Sequence, residues 1–174
     1  MGLIDSHTML AMTGQFQIST RMLKLILRFL KLALIGFIGI TILWVLFYRF
    51  VNPPVTWLMI TRGFERKADG KDWKIDKRWV DFEDIAEPMK RAAVAAEDQK
   101  FLDHYGFDFK AMEHAIDKNA HSHKLIGGST ISQQTAKNVF LWPGRSYVRK
   151  GFEAYFTMLI EVFWSKKRIM EVYL

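Results

Sequence analysis

The longest uncharged stretch of the chain, residues 32–48, constrains its architecture more than any other feature. It reads LALIGFIGITILWVLFY and carries no charged side chain, and apolar residues continue just past it. A helix needs about 17–25 apolar residues to cross the hydrocarbon core of a bilayer. Trp44 and Tyr48 lie near one end, and such aromatic side chains favour the membrane interface. The sequence therefore predicts a transmembrane helix over residues 32–51, with a buried core helix as the alternative.

The charges beside this stretch predict its direction. The preceding basic residues are Arg21, Lys24, Arg28 and Lys31. Against these four, residues 1–31 contain a single acidic residue, Asp5. Basic residues packed against one end of a span keep that end in the cytoplasm. We therefore expect a single-pass protein of the inner membrane, with residues 1–31 in the cytoplasm and the rest of the chain outside. A cleaved signal peptide is the competing interpretation, although no small-x-small cleavage site follows Tyr48.

Composition excludes several classes of function. The absence of cysteine excludes a disulfide framework, a cysteine-based zinc site and a cysteine nucleophile. The net charge is +7, but basic residues alternate with acidic ones, so nucleic-acid binding is not expected. His121 and His123 are two residues apart, which fits neither face of a helix, and no zinc site is expected there.

Beyond the apolar stretch the chain is predicted to be mostly α-helical. Residues 52–87 are interpreted as a juxtamembrane linker and domain edge, and residues 88–174 as the domain itself. The predicted helices cover residues 88–104, 108–120 and 130–141, then a helix capped by Ser146 that runs to about 164, and a last one that opens at Ser165. Because this last helix has no C-cap or polar tail before Leu174, we expect a domain that is cut short.

Glu97 is the first candidate for chemistry. In the predicted helix 88–104 it shares a face with Ala93 and Phe101, and Asp98 follows it on a neighbouring stripe. A carboxylate on an apolar face is either paired within a core or partly desolvated and suited to proton transfer. A solvated acid on a helix surface is the alternative.

Residues 127–138, GGSTISQQTAKN, are the second candidate. The glycines allow close approach of a ligand to the backbone, and the helix start that follows favours an anion. Thr130, Gln134 and Lys137 are spaced to share one helix face, a polar stripe that suits a phosphate. The segment lacks the Gly-Lys-Ser/Thr ending of a Walker loop. A glycine turn before a solvated helix face is the competing interpretation.

A third group lies at the start of the predicted fourth helix. Arg145, Arg149 and Lys150 are basic, and Glu153 is placed to pair with either of the last two. This group is either a basic cradle for a diphosphate, with the acid Glu153 inside the cradle, or an ordinary surface ion pair worth under about 1 kcal/mol. Glu153 also supplies the second carboxylate that glycosyl chemistry often uses.

Four motifs follow one another along the chain. Residues 97–106 match E-D-x-x-F-x-x-H-x-G, residues 128–138 match G-S-T-I-x-Q-Q-x-x-K-N, residues 149–153 match R-K-x-x-E, and residues 166–174 match K-x-x-I-L-E-x-Y-L. In the last motif Met170 replaces the leucine, and Arg168 stands where many relatives carry an acid. With these motifs the chain resembles the family 51 glycosyltransferases, most closely their monofunctional biosynthetic peptidoglycan members. The family continues beyond the last motif, so the resemblance also implies a C-terminally truncated chain.

The resemblance implies a mostly α, lysozyme-like lobe, a smaller membrane-proximal lobe and one transmembrane helix. Such enzymes polymerise lipid II into β-1,4 glycan strands on the periplasmic side of the bacterial inner membrane. The growing strand is the donor, the 4-hydroxyl of lipid II attacks its anomeric carbon, and configuration inverts. The implied partners are lipid II, the growing glycan strand, the membrane, and proteins of cell division or cell-wall synthesis.

Residue roles follow from the same resemblance. Glu97 is implied as the general base, and Glu153 as a helper at the donor diphosphate, either directly or through a divalent metal. No cofactor is required, although Mg²⁺ or Mn²⁺ is compatible. The implied diphosphate-site residues are Lys137, Arg145, Arg149, Lys150, Ser129, Thr130, Gln133, Gln134 and Asn138. The other motif residues are Asp98, Phe101, His104, Gly106, Gly128 and Glu171.

Two further functions compete with this one. A non-catalytic anchored module could bind lipid II or cell-wall-assembly proteins without polymerising. A lytic hydrolase could use the same fold with Glu97 as an acid. The segment 128–138 argues against the hydrolase, because a glycosidase has no diphosphate to hold.

Overall fold

Helices are the only regular secondary structure in the described part of the chain. The computed structural model describes residues 6–75, 77–121 and 127–174, and these form seven helices and no strand. This confirms the predicted mostly α class, while the lysozyme-like arrangement stays a prediction. His123 and residues 1–5 lie outside the described residues. The chain divides into two compact units, Met1–Trp44 and Val45–Leu174.

Helix α1, Ser6–Phe50, contains the predicted apolar segment. Its part from Thr20 to Phe50 has the length and composition to cross a membrane. Its 31 residues extend about 46 Å at 1.5 Å per residue, against a hydrocarbon core of about 30 Å. The helix is therefore compatible with a membrane anchor.

Helix α2, Trp57–Ala68, lies where the sequence predicts a linker, so that interpretation misses a helix. Thr56 caps it and accepts a hydrogen bond from Met59 N at 3.4 Å. Gly63 lies inside it against Trp73, whose ring leaves no room for a Cβ there. Gly63 lowers the helix propensity of this segment, which is why the sequence does not predict a helix there.

The five later helices follow the predicted order. They are α3 Glu87–Glu97, α4 Phe109–His121, α5 Ile131–Phe140, α6 Tyr147–Phe163 and α7 Lys166–Tyr173. The predicted caps Ser146 and Ser165 are confirmed, and Asp108 accepts from Ala111 N at 2.9 Å at the start of α4. Two predictions are wrong in detail. Helix α3 ends at Glu97 rather than near residue 104, and α5 begins at Ile131, with Thr130 as its cap, rather than at residue 130.

The core of the second unit lies among helices α5, α6 and α7. Phe140 of α5 stacks on Phe156 of α6, with ring centroids 4.7 Å apart and ring planes nearly parallel. Ile131, Ile160 and Ile169 contribute one fully buried side chain from each of the three helices. Burying side chains of this size stabilises the fold by about 1.5–3 kcal/mol each. Helix α5, which carries the second motif, is thereby fixed in place along its apolar face.

Candidate active site

Asp98 joins the end of α3 to the start of α5. Its buried carboxylate accepts hydrogen bonds from His104 Nε2 at 2.8 Å and from the backbone N–H of Ile131 at 3.0 Å. Ile131 is the first residue of α5, so the carboxylate lies at the positive end of that helix dipole. His104 Nδ1 accepts from Gly106 N at 3.1 Å, which assigns the ring proton to Nε2. Asp98 therefore holds the loop after α3 against the first turn of α5.

A capping box fixes that first turn. Thr130 Oγ1 accepts from Gln133 N at 3.2 Å, and Gln133 Oε1 accepts from Thr130 N at 2.9 Å. The Thr130 hydroxyl donates to Gly106 O at 2.7 Å. Both side chains are buried. The spacing predicts that Thr130 shares an exposed stripe with Gln134 and Lys137, and this prediction is wrong for Thr130. Its hydroxyl closes the helix start instead.

Glu97 lies at the C-terminal end of α3 and is exposed. The prediction that it shares an apolar helix face with Phe101 is therefore wrong, because the helix stops at Glu97 and Phe101 turns into the core. Gln134 Nε2 donates to Glu97 Oε2 at 2.9 Å, which joins the first motif to the second. One carboxylate oxygen is thus held from α5, and the other is available to a ligand.

An open cleft of about 390 Å³ lies beside this carboxylate, and we call it the carboxylate cleft. Glu97, Ser129 and His114 are among its lining residues. Gly128 lines it too and lies against α4, where a Cβ would come within 3.2 Å of Met112 Cα. The cleft therefore brings the glycine segment and Glu97 to one surface.

Tyr173 of α7 lies close enough to Glu97 to be influenced by its charge. Burial raises the pKa of its phenol, and the negative charge of Glu97 raises it further. The phenol therefore stays protonated near neutral pH and remains a hydrogen-bond donor. The sequence places Tyr173 in the fourth motif without assigning it to the site, and only the fold relates it to Glu97.

The basic residues of the second and third motifs meet in another cleft, of about 600 Å³, which we call the cationic cleft. Helix α5 contributes Lys137 and Asn138, and the α5–α6 region contributes Arg145 and Arg149. Arg62 of α2 lines it from the segment that sequence analysis treats as a linker. The Thr56 cap and the charged residues Arg62, Glu65, Arg66 and Lys67 are the signals in the sequence that could have revealed this helix and its arginine. A concave surface with four cations suits a diphosphate.

Glu153 is buried behind that cleft and is neutralised by two cations. Arg149 Nη1 donates to its Oε2 at 2.9 Å, and Lys150 Nζ donates to its Oε1. The Glu153 side chain is 3% exposed. Both oxygens are occupied by positive groups that would repel a divalent cation, and the described residues hold no cluster of metal-ligating side chains. These residues do not fit Mg²⁺ or Mn²⁺ at Glu153.

Lys166 of the fourth motif supports the site through contacts with the first motif and with α6. Lys166 Nζ donates to His104 O at 2.6 Å and to Glu161 Oε1 at 2.8 Å, and it lies 4.6 Å from the centre of the Phe101 ring. Ser132 of α5 donates to the same Glu161 oxygen, a contact that sequence analysis does not anticipate. These buried contacts tie the loop after α3 to helices α5, α6 and α7.

Comparison with known proteins agrees with the motifs. The family model described as Transglycosylase matches residues 67–174. The chain is 52% identical over 155 residues to the biosynthetic peptidoglycan transglycosylase of Caulobacter vibrioides, covering 88% of this chain and 65% of that protein. It is 51% identical over 152 residues to the protein of the same name from Bacteroides thetaiotaomicron, covering 87% and 61%.

A relative from Pseudomonas fluorescens with that name is 50% identical, covering 88% of this chain and 64% of its own length. The chain thus spans slightly less than two thirds of the length of these relatives. The match of the family model extends over more than half of the chain and includes all four motifs. The resemblance inferred from the motifs is confirmed, and the chain belongs to the transglycosylase family.

Proposed function

We propose that this chain carries the catalytic residues of a peptidoglycan glycosyltransferase, which polymerises lipid II with Glu97 as the general base. The observation that carries the proposal is the hydrogen bond between Gln134 and Glu97, because Lys137 follows Gln134 by one turn on α5. One turn advances about 5 Å along a helix. On this proposal the carboxylate and the cations flank one substrate path, with the acceptor sugar at Glu97 and the diphosphate at the cations.

The reaction needs one proton acceptor and one stabilised leaving group. Glu97 takes the proton of the acceptor 4-hydroxyl as that oxygen bonds to the anomeric carbon of the donor. The bond between that carbon and the diphosphate oxygen breaks, and the electron pair leaves with the lipid diphosphate. Attack from the face opposite the leaving group inverts the α-linked donor to a β-1,4 product.

The cationic cleft serves the leaving group. Lys137, Arg145 and Arg149 offset the charge that grows on the diphosphate as the bond breaks, and such preorganised charge acts strongly in catalysis. Glu153 acts one layer behind, where its ion pairs with Arg149 and Lys150 fix the position of Arg149. No step is assigned to a metal.

The polar residues of α5 divide into two groups. Gln134 and Asn138 are partly exposed, and Asn138 lines the cationic cleft, so these two contact substrate or the catalytic carboxylate. Thr130 and Gln133 are consumed by the capping box and set the orientation of the helix. Ser129 faces the carboxylate cleft, next to the acceptor sugar.

Membrane anchoring places the enzyme where its substrate is. The apolar part of α1 crosses the inner membrane with the basic N-terminal segment in the cytoplasm, and the second unit lies in the periplasm. Because the lipid tail of the substrate stays in the bilayer, anchoring turns a search in solution into a search on a surface. Proteins of cell division or cell-wall synthesis are the partners that suit this location.

Lys137→Ala is expected to lower the rate of polymerisation by about 10²-fold, since one preorganised charge at the leaving group is lost. Polymer length and amount are measured with fluorescent lipid II in detergent, on the full 174-residue chain. Lys118→Ala, which removes an exposed lysine from α4, is the matched control. If Lys137→Ala polymerises at the rate of the unsubstituted chain, the assignment of Lys137 to the leaving diphosphate is refuted.

A second candidate function is lipid II binding without polymerisation. The observation in its favour is the cationic cleft, whose side chains can hold a diphosphate whether or not Glu97 takes a proton. Saturable binding of fluorescent lipid II with no polymer from the unsubstituted chain would favour it. Binding that Lys137→Ala weakens would still assign the cationic cleft to the diphosphate.

A further inference from the structure

Arg168 makes more hydrogen bonds than a residue in the first turn of a helix requires. Its Nη2 donates to Tyr48 O at 2.9 Å and to Val51 O at 3.0 Å, and its Nε donates to Tyr48 O at 3.2 Å. Its Nη1 donates to the side-chain oxygen of Asn52 at 2.8 Å and to Glu171 Oε2 at 2.6 Å. The guanidinium therefore binds Tyr48 in the last turn of α1 and Val51 and Asn52 just beyond it.

The chemistry of a helix terminus explains this arrangement. The last carbonyls of a helix have no partner within the helix and carry its negative dipole end, and α1 ends at Phe50. Sequence alone makes Arg168 look unfavourable, because a cation opposes the dipole at the start of its own helix α7. The side chain instead extends to the C-terminal end of another helix, where a cation is stabilising.

The surroundings of Arg168 hold the guanidinium in place. It lies 5.2 Å from the centre of the Trp79 ring and 5.9 Å from that of Trp164. Trp164 itself donates from Nε1 to Val45 O at 2.8 Å, a second bond to α1 from the region of α7. Lys77 donates to Pro53 O just beyond α1, so several cationic and aromatic side chains converge on this exit.

A continuous path leads from Arg168 toward the catalytic carboxylate. Glu171 pairs with Arg168 through Oε2 and accepts from Phe82 N through Oε1 at 2.9 Å. Phe82 lies in the segment that enters α3, the helix that ends at Glu97. All of these residues, with Val45–Val51, belong to the same compact unit.

We propose that Arg168 is a positioning residue that fastens the C-terminal end of the apolar helix α1 to the elements that carry the reaction site. The fork of the guanidinium is needed, because its acceptors are four, namely Tyr48 O, Val51 O, Asn52 Oδ1 and Glu171 Oε2, whereas an ammonium has only three N–H donors. Fastening the end of α1 fixes the entry to α3 and α7 through one ion pair. The contact itself stands on geometry alone, and only its effect on turnover rests on the proposed function.

The test uses the absence of cysteine from the chain, which allows a single nitroxide at Phe50→Cys in the full protein in lipid nanodiscs. Phe50 is 78% exposed, so the label does not disturb packing. Arg168→Met is expected to add a mobile component to the electron paramagnetic resonance spectrum, and Arg168→Lys a smaller one. Lys167→Met, which breaks the neighbouring exposed pair with Glu83, should leave the spectrum unchanged.

An Arg168→Met spectrum that matches the parent spectrum would overturn the proposal. If that variant does not fold, Arg168→Lys decides, because a parent-like spectrum from a single ammonium would show that the fork is not needed. On the proposed function, Arg168→Met also lowers kcat more than it raises KM, with partial recovery in Arg168→Lys. The spectrum responds to Arg168 whether or not the chain polymerises. The experiment therefore distinguishes failure of the proposed positioning role of Arg168 from failure of the proposed function.

Discussion

Glu97→Gln is expected to abolish polymerisation of lipid II while lipid II binding survives. The amide keeps the shape of the side chain, and its carbonyl oxygen can still accept the hydrogen bond from Gln134. It cannot take a proton from the acceptor hydroxyl, however. Loss of a positioned general base costs about 10²–10⁴-fold in rate. Because the proposed function assigns the diphosphate to the cationic cleft, the affinity for lipid II is expected to change little.

The measurement follows polymer formation and equilibrium binding separately, with fluorescent lipid II and the full chain. Glu113→Gln replaces another exposed glutamate, on α4, and is the matched control. Polymer from Glu97→Gln at the control rate would refute the assignment of the base. Loss of binding together with turnover would instead show that Glu97 holds the substrate, and the base would then have to be sought elsewhere.

Helix order and capping could be predicted because they depend on local chemistry. Ser146 and Ser165 each accept a hydrogen bond from the N–H three residues later, as their positions before apolar helical patterns predict. The second motif could also be located, since glycines before a polar helix start form a local signal. These features need no knowledge of what lies across the fold.

The end of α3 could not be predicted, because it is decided by a partner 33 residues away in the chain. Residues 98–104 contain no helix breaker, and local propensity continues the helix through them. Asp98 leaves the helix because its carboxylate caps α5, and Phe101 becomes buried beneath Lys166. The exposure of Glu97 follows from that tertiary competition.

The burial of the third motif could also not be predicted from the sequence. The spacing of Arg149, Lys150 and Glu153 predicts an ion pair but not its burial. With its side chain 3% exposed, Glu153 must be compensated, and Arg149 and Lys150 supply the compensating positive charges. Burial is a property of the fold, so the sequence alone could not distinguish this buried ion pair from an ordinary surface pair.

Gly106→Ala is expected to destabilise the second unit by about 2–5 kcal/mol. Gly106 has a φ of +84°, a left-handed conformation that costs other residues about 1–2 kcal/mol. A Cβ there would come within 2.7 Å of Thr157 Cγ2 and 3.0 Å of Glu161 Cγ, and such overpacking costs about 1–3 kcal/mol more. Because Gly106 bonds to both His104 and Thr130, the shift would reach the first turn of α5.

Two control variants separate these causes, with unfolding in urea followed by circular dichroism. Gly70→Ala has a similar φ of +73° and open space around the new Cβ, so it should show the backbone cost alone, about 1–2 kcal/mol. Thr157→Ser removes the clashing methyl group but keeps a hydroxyl for Glu153 O. The double variant Gly106→Ala/Thr157→Ser should therefore be more stable than the two single effects added together predict. Strict additivity would show that the methyl contact is not the source of the loss, and equal losses in Gly106→Ala and Gly70→Ala would attribute it to the backbone.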